Sequence, residues 1–197
     1  MLKKTHIATS LATVSVINYV FNIPPINVSI LVGALIGGLM PDVDLQNSTI
    51  SKLINKIIIS IIILLLLFLC ISKFLGLQDL KLLLVYKYQR YTTGSLIILL
   101  SALFSRITGH RMFSHSFLGL AAFSFGISIL YKPIFLGFLI GYLSHLVIDI
   151  LNYKGEALIF PFKKYYSLKI CSSSGIVNQF MFFVSLSIFC ILIIQHF

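Results

Sequence analysis

Acid is what this sequence has least of. It carries five Asp and Glu side chains against fifteen Lys and Arg, and charged residues are only 10% of its 197 positions. A soluble domain carries about 25%, so an ordinary water-soluble globule is excluded. Cysteine is also scarce: Cys70, Cys171 and Cys190 show no CxxC spacing, and two of them lie inside apolar runs. They read as small apolar residues, not as a redox or metal motif. There is no GxSxG, no internal repeat and no low-complexity stretch. What fills the space is apolar length. The chain is 58% hydrophobic with a mean hydropathy of +1.04. The implied fold class is all-α, a polytopic helical membrane protein in a single integral domain, 1–197. A secretory signal does not explain the basic, apolar start MLKKTHIATSLATVSVINYVF, because apolar segments recur to the C-terminus.

The net charge of +10 raises nucleic acid as a partner. The cations sit mostly at the ends of apolar segments, however, and no aromatic-rich basic stripe accompanies them. Topology and contact with anionic lipid head groups account for them, and no nucleic-acid partner is expected.

Seven apolar segments stand out: 7–21, 28–41, 53–75, 95–109, 115–131, 134–151 and 176–195. The third and the C-terminal one are apolar all round and read as ordinary spans. The others are short and broken by Gly, Ser and Thr, as helices that pack on other helices are; the second and fourth are candidates for re-entrant segments. If all seven cross and the N-terminus is cytoplasmic, the inner side receives Lys3, Lys4, Lys52, Lys56, Arg106, Arg111, Lys154, Lys163, Lys164 and Lys169. The outer side receives Lys73, Lys81, Lys87, Arg90 and Lys132. Ten against five favours that orientation.

On this map the rare polar residues converge. Asp42 and Asp44 follow the second segment, after Pro41. His6 opens the first. His110, Arg111 and His115 lie between the fourth and fifth. His145 and Asp149 lie near the inner end of the sixth, and Glu156 follows it. Only Asp79 and His196 fall elsewhere.

His145 and Asp149, in SHLVID, are four residues apart and share a helix face, close enough to bind one ion. A His–Asp hydrogen bond that only fastens helices is the plainer reading of that pair alone. Gly141, one turn earlier, leaves the face open to a close neighbour. GHRMFSHS supplies His110 and His115 beside Arg111. PDVD supplies two carboxylates, although capping a helix that begins near Ser48 or Ser51 could occupy one of them. His6, in KKTHIATS, is the weakest member by itself. Imidazole and carboxylate donors together suit Zn²⁺, Mn²⁺ or Fe²⁺, and without a thiolate a cysteine-rich structural zinc site is excluded.

The ordered set TH, GALIGGLMPDVD, GHRMFSHS, GYLSHLVIDIL and a short segment ending in FPF resembles the YdjM-like family of bacterial and archaeal membrane proteins. The match covers the first six segments, with a divergent insertion around 45–100. The family is described as metal-dependent hydrolases distantly related to zinc-dependent phospholipase C and P1-type nucleases. The resemblance implies a multi-pass protein of the inner membrane and a divalent metal, zinc first and Mn or Fe next. It also implies phosphoester hydrolysis, with a lipid or lipid-linked substrate suggested by the setting. The metal ligands it points to are His6, Asp42, Asp44, His110, His115, His145 and Asp149, with Asp44 and Arg111 as candidate catalytic residues. Two departures from the family pattern are Met112 and Ser114 where Thr is common, and Phe160 in a chain without Trp. Ser114 keeps the hydroxyl. The alternative function is an ion or small-solute transporter that uses the same His and Asp cluster.

Overall fold

The structure, a computed structural model, describes residues 1–21, 26–44, 56, 60, 64, 67, 71, 74, 78–173 and 175–196. Six α-helices carry the described fold. They are α1 (Lys3–Phe21), α2 (Val28–Leu39), α3 (Gln78–Thr108), α4 (Phe117–Leu130), α5 (Phe135–Ile150) and α6 (Ile176–His196). Among the described residues there is no strand, only the isolated bridges Asn152–Cys171 and Glu156–Tyr166. The third apolar segment, 53–75, lies largely outside the described residues.

Among the described residues, three stretches are long and apolar enough to cross a membrane: Tyr88–Thr108, Lys132–Ile150 and Ile176–Gln195. α6 packs along α1, and only 11% of its apolar window is buried, so most of its surface is left for lipid. α5 is the opposite case, with 56% of its window buried. It is the central helix and makes its most extensive pairing with α2.

That pairing follows from glycine at four-residue spacing. Gly33 and Gly37 on α2 face the backbone of Ile134 and Phe138; Gly137 and Gly141 on α5 face the backbone of Ile30 and Ala34. A Cβ at any of the four would overlap a carbonyl of the opposite helix. The helices therefore touch backbone to backbone, the contact that small residues permit in a membrane. Beside it, Val43, Phe113, Phe123, Phe138, Tyr142 and Leu146 form a buried apolar cluster under the polar end of the bundle.

Two expectations need correction. α3 was expected only over 95–109 and begins at Gln78. Its first half carries Lys81, Lys87, Gln89 and Arg90, which hide it from a hydropathy reading but are good helix formers. The residue before a proline disfavours helical angles, which places the end of the second segment's helix and a break at Met40; α2 does end at Leu39. Met40 instead keeps helical angles (φ −63°, ψ −39°), and a 3-10 turn runs over Met40–Asp44. The tighter turn needs no amide hydrogen from proline, and it carries Asp42 and Asp44 onward as a direct extension of α2.

Candidate metal centre

Five separate stretches of chain meet at one end of the bundle. α1 delivers His6 from its first turn, where Thr5 and His6 are fully buried. The Ser10 hydroxyl donates to the His6 carbonyl at 2.5 Å and is itself within 3.2 Å of Ser144 on α5, which holds α1 against α5 beside the site. The 3-10 turn delivers Asp42 and Asp44. α5 delivers His145 and Asp149 from its last two turns, and the loops 109–116 and 151–157 supply the rest.

The loop after α3 turns sharply. Gly109 and Arg111 both have left-handed backbone, at φ +93° and +65°. For a non-glycine residue this costs roughly 1–2 kcal/mol, and two hydrogen bonds hold it. The Arg111 amide donates to Asp44 Oδ2 at 3.2 Å, and the Arg111 carbonyl accepts from Ala157 N at 3.0 Å. The Ser116 hydroxyl then caps α4 by accepting from Gly119 N at 3.1 Å.

Asp44 organises this loop. Its Oδ1 lies 2.8 Å from His110 Nδ1, and its Oδ2 accepts from the Ser114 hydroxyl at 2.7 Å. Burial alone would raise the Asp44 pKa, but the neighbouring His110 and His115 rings outweigh it and hold the carboxyl well below the usual carboxylate range. Ser114 spends its hydrogen on Asp44, so its oxygen accepts from His115 Nδ1 at 3.2 Å. His115 is thereby held as the Nδ1–H tautomer. His145 reaches the same state by another route: its Nδ1 lies 2.7 Å from the Gly38 carbonyl, which can only accept. Both rings turn Nε2 into the site, and neither Nε2 has a hydrogen-bond partner. A histidine fixed at one nitrogen and open at the other is how imidazole is presented to a metal.

Asp149 sits at the middle, 2% exposed. Its Oδ1 lies 3.4 Å from His6 Nε2 and 2.7 Å from the Met1 amine. Its Oδ2 lies 3.8 Å from His115 Nε2, 3.9 Å from His145 Nε2 and 3.3 Å from a terminal nitrogen of Arg111. The His6 and His145 rings stack with centroids 3.7 Å apart. Asp42 lies 3.9 Å from His115 Nε2.

Four sets of donor atoms each fall within 4.8 Å of one another. They are His6/His145/Asp149, Asp42/His115/His145, Asp44/His110/His115 and His115/Asp149/Glu156. The donors are nitrogen and oxygen throughout, so the set fits a borderline divalent ion. All seven expected ligands and Arg111 lie in this one cluster. They differ in freedom, however. Asp44 has both oxygens engaged, His110 is 38% exposed at the rim, and the Arg111 guanidinium already donates to the Gly155 carbonyl at 2.9 Å.

Sequence reasoning put Glu156 on this face but did not count it as a ligand. It is fully buried with neither oxygen hydrogen-bonded. Burial and the nearby Asp149 charge push its pKa up to about 9, against a smaller opposing pull from Arg111. The missed signal was composition: Glu156 is one of four acids, of five in the chain, that gather here. A cavity of about 540 Å³ adjoins the cluster, lined by Met1, Leu2, Lys3, Lys4, Asp42, His110, Arg111, Asp149, Lys154 and Ser173.

No curated protein and no solved structure matches the chain. The order of its polar motifs, the apolar helices around them and a family model matching residues 1–196 agree with one another: the chain belongs to the YdjM inner membrane protein family.

Proposed function

We propose that this chain is a membrane-bound, metal-dependent hydrolase acting on a phosphoester in a lipid or lipid-linked substrate. The observation that carries the reading is the set of buried imidazole Nε2 atoms on His6, His115 and His145, which surround Asp149 without a hydrogen-bond partner. Each such orphan costs about 1–3 kcal/mol, and bound metal would offset that cost. His145, Asp149, His115 and Asp42 are the first-choice ligands, with His6 next. Asp44, its oxygens occupied, orients His110 and His115.

When bound, a divalent ion, zinc first and manganese or iron next, supplies Lewis acidity and a nucleophile at neutral pH. The chain's own residues do the remaining work. Arg111, Lys3, Lys4 and Lys154 surround the adjoining cavity and attract a phosphate. His110, exposed at the rim and hydrogen-bonded to Asp44, can exchange a proton with solvent.

The transporter reading draws on the same residues. Position favours the hydrolase: the donors come from helix ends and the loops beyond them, not from broken helices at mid-depth, where transport sites lie.

The first experiment is metal content in detergent-purified protein, followed by Asp149→Ala and His115→Ala. Both variants are expected to bind less metal; unchanged content in both would sink the metal reading. The second offers phospholipids and prenyl phosphates with Zn²⁺ or Mn²⁺ and looks for released phosphate or head group. Solute movement into liposomes without any turnover would transfer the site to the transporter.

A further inference from the structure

Glu156 is held in place with nothing to hold. Its backbone is fastened on both sides: Glu156 N donates to the Tyr166 carbonyl at 3.1 Å, Tyr166 N returns to the Glu156 carbonyl at 2.9 Å, and Ala157 N donates to the Arg111 carbonyl at 3.0 Å. Gly155, at φ +63°, makes the turn that points the next residue inward. The side chain is fully buried, and neither oxygen has a hydrogen-bond partner. Arg111 is the obvious counter-charge, but its contacts go to the Gly155 carbonyl at 2.9 Å and to Asp149 Oδ2 at 3.3 Å.

The donors facing Glu156 are an open imidazole nitrogen and a carboxylate. A Glu156 oxygen, a His115 ring nitrogen and an Asp149 oxygen all fall within 4.8 Å of one another. Asp149 also has two differently occupied sides. Oδ1 faces His6 at 3.4 Å and the Met1 amine at 2.7 Å, and Oδ2 faces Arg111 at 3.3 Å, His115 at 3.8 Å and His145 at 3.9 Å. A carboxylate shared by two donor sets can bridge two cations, as in two-metal sites whose ions sit about 3.5–4 Å apart.

We propose that Glu156, His115 and Asp149 hold a second divalent cation beside the one held by His6, His145 and Asp149, with Asp149 bridging the two. The proposal rests on the metal reading above and adds to it a stoichiometry and a ligand. A second cation accounts for Asp149 and Glu156 converging on His115 beside Asp42, while Asp44 is satisfied by its own hydrogen bonds. It also gives both Glu156 oxygens a partner that no hydrogen bond among the described residues supplies.

The test uses full-length protein in detergent, stripped with a chelator and titrated with Mn²⁺ alone. Bound equivalents are counted and the paramagnetic resonance spectrum is recorded. Wild type is expected to take two equivalents and to show an exchange-coupled spectrum. Glu156→Gln is expected to elute as wild type on size exclusion, to bind one equivalent and to give an uncoupled six-line signal. Two coupled ions retained in Glu156→Gln overturn the proposal. A single equivalent in wild type and variant alike also overturns it, while leaving the first ion standing. No binding in wild type overturns both readings. If Glu156→Gln does not fold, Glu156→Asp decides the matter. Its shorter reach is expected to weaken the second equivalent by about 10-fold or more with the first unchanged, and two equivalents at wild-type affinity overturn the proposal.

Discussion

Ser114 is the residue whose small size most understates its role. Its hydroxyl donates to Asp44 and accepts from His115, so one oxygen sets both a carboxylate position and a ring tautomer. Ser114→Ala is expected to leave the bundle folded and to weaken metal binding by about 10–100-fold, the usual effect of removing such a partner. Competition with a chromogenic chelator measures it. Glu156 makes a different prediction, for protein stripped of metal. Its folded pKa, about 9, lies above the ordinary value of 4.5. The stability it contributes is therefore full below pH 4.5 and is lost as pH rises toward 9. Metal-free protein should melt at a lower temperature at pH 9 than at pH 6, and Glu156→Gln should flatten that difference. At this scale the site was largely legible, because ionisable residues are rare enough here for each to be informative. His145 and Asp149 share a helix face as their spacing predicts, and Asp42 and His115 lie beside them in the structure. What stayed hidden was division of labour. No spacing tells that Asp44 is saturated by His110, Ser114 and the Arg111 amide, since those bonds depend on the left-handed turn at Gly109 and Arg111.

Among the elements, α2 and α5 decide whether the site exists. α2 contributes the Gly38 carbonyl that orients His145 and continues into the turn bearing Asp42 and Asp44; α5 bears His145 and Asp149. Their separation is set by glycine. Gly141→Ala would drive a methyl into the backbone of Ala34, and Gly37→Ala one into Phe138. Neither obstacle is a flexible side chain, so the helices must part. Each change is expected to cost about 1–3 kcal/mol, the usual range for overpacking, read as a lower melting temperature in detergent. Each should also reduce metal affinity, although neither touches a ligand. Substitution of exposed Val147, on the other side of α5, should do neither. Helices α4, α5 and α6 were legible to within a few residues, because apolar length marks them directly. The early half of α3 was not, since its helix is sustained by Lys, Gln and Arg, which carry no hydropathy signal. The end of α2 at Leu39 was legible from Pro41, but the 3-10 turn that follows was not, since Met40 keeps the helical angles that the proline rule disfavours.

For the whole molecule, the prediction concerns which side each end faces. Lys132 and Lys154 are exposed and flank the candidate span Lys132–Ile150. With exposed Cys190 replaced by Ser, cysteines at 132 and 154 should react with an impermeant maleimide from opposite faces of a sealed vesicle; labelling from one face would mean that α5 does not cross. Legibility at this scale is uneven: the apolar helices and the polar end were readable, whereas segment 53–75 falls largely outside the described residues. The wide spread of the donors along the chain has a consequence in time. The Gly38–His145 bond spans 107 residues, and the Met1–Asp149 contact spans 148. During synthesis the early histidine and aspartates therefore emerge long before their partners exist, and a donor set such as His6, His145 and Asp149 is complete only once α5 has been made. On the metal reading, an ion would arrive as a closing stitch on helices already inserted. Cells starved of it should hold this protein at normal topology but with a loosened polar end, seen as faster proteolysis of the loops around residues 109–116 and 151–157.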